Sequence, residues 1–119
     1  MSLLVHTFVR DAADGFVLLE DPAHGKTLAG FETTRTRLWG SDAIRALGAR
    51  FFPRLDGDDL YVEPPDVDAF LAECEALRPH LADLARQGGY ETDYVGRRFD
   101  NIVAAAHRAK SVGGGVLVW

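Results

Sequence analysis

The chain has 119 residues and a mass of 13.0 kDa, with 47% hydrophobic and 26% charged residues and a mean hydropathy of −0.07. This composition excludes the disordered, collagen-like and low-complexity classes and predicts one domain around one core. Thirteen Lys and Arg against eighteen Asp and Glu leave a net charge of −5, so the long-range field that draws a nucleic-acid backbone is missing and nucleic acid is not an expected partner.

The N-terminal segment from Met1 to His6 lacks the basic region and cleavage site of a signal peptide. Leu3 to Val9 then alternates Leu3, Val5, Thr7 and Val9 on one face with Leu4, His6 and Phe8 on the other, which predicts a central strand buried on both sides. The polar run Arg10 to Gly15 leads into a second strand, Phe16 to Glu20, stopped by Asp21-Pro22, and the pair reads as an antiparallel hairpin with a longer loop. Residues 28 to 39 carry two conflicting signals. Leu28, Phe31, Arg35, Leu38 and Trp39 recur at helical spacing, while Thr33, Thr34 and Thr36 favour a strand; helix is the preferred expectation, with strand left open. Ser41 is placed to cap a short helix over 42 to 47, ended by Gly48.

Arg50 to Leu55 and Asp59 to Glu63 flank Asp56-Gly57-Asp58, a turn sequence that tolerates positive φ and predicts a β-hairpin. Pro53 has no N–H to donate, which puts its strand at an edge or a bulge. Pro64-Pro65-Asp66 opens the longest helix, whose apolar stripe is Val67, Phe70, Leu71, Cys74, Leu77, Leu81 and Leu84; Pro79 must kink or divide it. After Gly88-Gly89, Thr92 or Asp93 is expected to cap a second helix with the stripe Val95, Phe99, Ile102, Val103, Ala106 and Ala109. Gly113-Gly114-Gly115 stops that helix, and Val116 to Trp119 reads as a last, central strand.

The expected architecture is therefore α+β: a single domain, residues 1–119, with a mostly antiparallel sheet of about five strands and two long C-terminal helices packed on one face. No apolar run approaches the ~20 residues of a membrane span, so no membrane partner is expected. A single Cys rules out an intramolecular disulfide and fits a reducing, cytoplasmic setting.

Local motifs for chemistry are sparse. His24-Gly25-Lys26-Thr27 follows a strand like the end of a phosphate-binding loop, but the required upstream glycine position holds Glu20, which would repel phosphate. His6, His24, His80 and His107 never pair at ligand spacing, so no metal and no cofactor is expected from a local motif. Cys74 sits in the middle of an apolar stripe, where a thiol behaves as a small hydrophobe. The carboxylates around Asp56 have the density of a calcium loop, yet Val67 stands where the bidentate Glu belongs. No catalytic residue is assigned.

Charge layout is more informative. Residues 33 to 54 carry Arg35, Arg37, Arg45, Arg50 and Arg54 against Asp42, whereas residues 55 to 75 carry eight acids and no base. Asp56, Asp58, Asp59, Glu63, Asp66 and Glu73 are the residues expected to form an acidic surface able to steer and hold a basic protein. An alternative polar site is Arg97, Arg98, Asp100 and Asn101 on the last helix, with His107 further along it. It suits a small-molecule-binding or hydrolytic domain with a cleft there. A third expectation is a structural subunit that forms a homo-oligomer through a strand edge.

The segments Leu38-Trp39-Gly40-Ser41, Leu47-Gly48, Phe51-Phe52-Pro53 with Leu55, Asp59 to Glu63, Asn101-Ile102 and Gly113 to Trp119 resemble a group of small uncharacterised bacterial α+β proteins. That resemblance spans most of the chain and implies a fold, with no activity or site attached. In size, acidity and α+β make-up the chain is also loosely similar to immunity proteins that neutralise basic toxins, which implies a non-enzymatic protein-binding role by analogy of class.

Overall fold

The computed structural model describes residues 2–13, 15–20 and 26–119; the expected Asp21-Pro22 strand stop and His24 lie outside them. The fold is α+β, built on a five-stranded antiparallel sheet. Strand β1 (Ser2–Arg10) is central and carries neighbours on both sides. Along one edge its C-terminal half pairs with β2 (Phe16–Leu18), while its N-terminal half pairs with β3 (Leu28–Phe31). Along the other edge it pairs with β5 (Gly115–Val118), and β4 (Leu60–Val62) completes the order β2-β1-β5-β4. The β1–β2 connection is closed by Asp11, whose Oδ1 accepts from the amides of Ala13 and Gly15 at 2.9 Å each.

Residues 28 to 39 satisfy both of the conflicting signals in turn. Leu28–Phe31 is a strand, correcting the preference for helix from residue 28, because its backbone completes the open half of the β1 edge. The chain then turns helical through α1 (Glu32–Thr34) and a π-helical turn, Arg35–Trp39, which drives Leu38 and Trp39 into the core. The Trp39 indole N–H donates back to the Ala29 carbonyl at 2.8 Å, fixing strand against helix. Helix α2 (Asp42–Ala46) follows, with the Ser41 hydroxyl accepting from the Ile44 amide as expected of a cap.

Arg50 to Leu55 is not a strand. Phe52–Leu55 forms a 3-10 turn, so the hairpin expected across Asp56-Gly57-Asp58 does not exist. The cause is a carboxylate distant in sequence: Glu73 accepts from the amides of Arg50, Phe51 and Phe52 at 2.5–3.1 Å, which takes the donors a sheet ladder would need. Gly57 still supplies the positive φ of the turn, which now joins a 3-10 segment to β4.

A second 3-10 turn, Pro64–Asp66, leads into α3 (Val67–Leu77). Pro79 divides the following helix: Arg78–His80 is a 3-10 link and α4 (Leu81–Gly88) starts afresh. Helix α5 (Thr92–Val112) begins one residue earlier than the expected caps, with Glu91 at the N-cap and Thr92 and Asp93 in the first turn, where Asp93 favours the positive dipole end.

Helix α5 lies directly against β1, β3 and β5, while α3 and α4 pack along α5. Two polar pins fix α5 to the sheet: Thr7 donates to the Ala105 carbonyl at 2.7 Å, and the Asn101 amide to the Leu28 carbonyl at 2.8 Å. Between these layers Phe52 contacts Trp39, Phe70 and Phe99 with ring centroids 5.3–6.3 Å apart, the spacing of offset and tilted aromatic packing.

The triple glycine has two separate uses. Gly113 takes φ 68° to end α5. Gly114 and Gly115 then pass so close to β1 and β4 that an added Cβ would overlap the carbonyls of Phe8 and Val62, respectively.

Candidate functional site

The two opposite charge blocks of the sequence meet in space. Arg35 pairs with Asp59 at 3.2 Å and also donates to the Asp58 carbonyl, while Arg45 reaches Asp56 at 2.9 Å and Asp42 at 3.2 Å. Partial burial pulls the Arg35 guanidinium down, but hydrogen bonds and charge from Glu32 and Asp59 outweigh it, so its pKa is raised. Arg45 is raised by its hydrogen bond to Asp56 in the first place.

The remaining acids divide by role. Glu63 holds Arg10 through two contacts of 2.6 and 3.0 Å. Glu73 is committed to backbone amides, as described. The Asp58 carboxylate accepts from the Asp59 amide at 2.8 Å, and Asp66 is exposed at the start of α3. Further along the strip, Asp68 meets Lys110 and Glu75 meets Arg78. The acidic strip is thus largely a set of struts between elements, with Asp58 and Asp66 exposed and outside these pairs among the described residues.

The alternative polar group on α5 is dispersed. Asp100 pairs with Arg78 at 3.2 Å, Asn101 is turned inward to β3, and His107 and Arg97 are exposed. Arg98 lies over the Tyr94 ring at 4.9 Å, and both its Nε and the Tyr94 hydroxyl are buried without a hydrogen-bond partner among the described residues. Tyr94 in turn stacks between Phe31 and Tyr90.

The most distinctive surface comes from residues that charge patterning does not flag. On the sheet face opposite α5, Phe8, Phe16 and Tyr61 form a triangle with centroids 5.6–6.4 Å apart, and the Arg10 guanidinium lies over Phe8 and Phe16. Beside them Leu117 is paired between His6 and Tyr61, and the Trp119 indole N–H donates to His6 Nδ1 at 3.0 Å. Phe8 and Leu117 are fully buried there, apart from the main core cluster. Phe16, Tyr61 and Trp119 remain 39%, 40% and 42% exposed. The signal was present in the sequence: Tyr61 alternates with Leu60 and Val62, so a strand that buries those two must turn Tyr61 the other way.

Cys74 is buried, and burial pushes its thiol up to about 12. Among the described residues no group of three or more His, Cys, Asp or Glu is arranged to hold a metal ion, and no helix is long and apolar enough to cross a membrane. Comparison of the chain with protein-family profiles, curated proteins and solved structures finds no match.

Proposed function

We propose that this chain is a non-enzymatic protein-binding module for a basic partner, in the manner of immunity proteins, acting in a reducing compartment such as the cytosol. The observation that carries this reading is the exposed aromatic group Phe16, Tyr61 and Trp119 on the sheet face opposite α5, bordered along β4 by Asp58, Asp59 and Glu63. Large aromatic side chains that are rigid and half-exposed are the usual anchors of a protein interface. Acids around such a centre steer a basic partner and raise its association rate more than its final affinity. The Arg10 partner of Glu63 is no obstacle, because that pair is exposed and such pairs are weak and exchange readily with a partner's Lys or Arg.

The test uses the tagged chain, a Tyr61→Ser variant, and a variant with Asp56, Asp58 and Asp59 all changed to Asn, each as bait in a lysate of the cells of origin. The expected result is a basic protein retained by the unmodified bait at low salt. After purification it binds that bait with an affinity that falls with salt and falls at least tenfold with either variant. A captured protein that binds both variants as tightly as the parent overturns the proposal, as does affinity that is indifferent to salt.

A further inference from the structure

We propose a second, independent site: the cavity between residues 47–54 and α3 binds a small apolar acid, such as an aliphatic carboxylate. This goes beyond the protein-binding reading, since the cavity is built from other elements than the aromatic face. Its volume is about 480 Å³ and its walls include Leu47, Phe51, Ala69, Ala72 and Ala76, a size within the range of small-molecule sites, which run from about 300 to 1,000 Å³.

The shape is set by Glu73. By accepting from three successive amides it clamps the 50–52 backbone to α3, so the far wall is held in place before any ligand arrives. The alanines at 69, 72 and 76 recur at helical spacing and keep the helix side of the groove open, where larger side chains would close it.

Charge indicates which apolar ligand fits. Arg50 and Arg54 both line the cavity, and among the described residues neither meets a carboxylate that would compete with a ligand's. The Arg54 guanidinium lies over the Phe51 ring at 4.8 Å, which brings a cation onto the apolar wall. Two acids share the lining: Glu73, whose carboxylate is turned to the amides of residues 50–52, and Asp66 at the head of α3, exposed as Arg50 and Arg54 are. A ligand with an apolar body and one carboxylate places the body against Leu47, Phe51 and the alanine methyls and its charge toward Arg50 and Arg54, which can give it charge-assisted hydrogen bonds.

Octanoate and octanol, titrated against the full chain with backbone amide NMR, supply the test. Octanoate is expected to shift amides of residues 47–54 and 69–77 and to bind at least tenfold more tightly than octanol. Arg50→Gln with Arg54→Gln removes that preference and Ala72→Leu abolishes binding of both, while the amide spectra of both variants remain dispersed. Tyr61→Ser leaves octanoate binding unchanged, so failure here and failure of the protein-binding reading are distinguishable. Shifts confined to other residues, equal affinity for acid and alcohol, or undiminished octanoate binding by the double Gln variant each overturn the proposal.

Discussion

Glu73 holds three amides with one carboxylate, across more than twenty residues of sequence. Replacing it by Ala leaves those donors without their acceptor, and the cost is about 2–3 kcal/mol in urea unfolding, the range of a lost cap compounded by unsatisfied amides. Glu73→Gln keeps one acceptor oxygen and is expected to cost about half as much. Cys74 gives a pH signature of known sign. Its thiol titrates near 9.0 when exposed and at about 12 in the fold, so the folded state retains the proton that the unfolded chain gives up. Stability from this group is full below pH 9 and falls as the pH climbs toward 12, by at most about 1.4 kcal/mol per pH unit. A Cys74→Ala variant, less stable at neutral pH, is expected to lose stability less steeply over pH 9–11 in the same urea series. Thiol reagents should label the parent only once it unfolds.

At the level of elements, the most revealing position is Gly115. A methyl group there meets the Val62 carbonyl and the Phe8 ring, so Gly115→Ala forces β4 away from β5. The expected loss is on the order of 3 kcal/mol, read as a lower melting temperature together with faster amide exchange in Leu60–Val62. Elements whose signals are local, such as the Ser41 cap, the Pro79 break and the apolar stripe of α5, were readable because the residues that decide them lie within a few positions. The five-strand count was right while one strand was misplaced. Arg50 to Leu55 has strand-like composition, but the acceptor that claims its amides is Glu73; Leu28 to Phe31 has mixed composition, but the edge that claims it is β1. Neither partner is visible from spacing, since both depend on where distant elements come to rest.

For the molecule as a whole, charge organises surface and fold together. Arg35 and Arg45 cross to Asp59 and Asp56, so the acids that were readable as a block were not readable as struts. The Arg45–Asp56 pair is exposed and the Arg35–Asp59 pair partly buried, and changing Asp56, Asp58 and Asp59 together to Asn is expected to keep one cooperative thermal transition with a midpoint within about 5 °C of the parent. A collapse of that transition would show the struts to be essential. The candidate surface was only half legible for a related reason. Its acids stand out in sequence, but the exposure of Phe16, Tyr61 and Trp119 depends on which sheet face α5 covers, the face where Leu3, Val5, Val116 and Val118 join the core and Thr7 and Asn101 make their hydrogen bonds.

The pairing of β1 with β5 also governs the order in which the molecule can be completed during synthesis. Strand β5 is the last to be made of the five, yet it lies between β1 and β4 and, among the described residues, is the strand that joins them. Until residues 115–118 leave the ribosome, the inner edge of β1 stays open from Val5 to Phe8 and β4 lacks its partner among the described strands. An apolar strand edge in that condition is a template for pairing with other chains. A chain made only as far as β4 therefore carries an open apolar edge on β1, and the sheet is complete only once β5 inserts between β1 and β4.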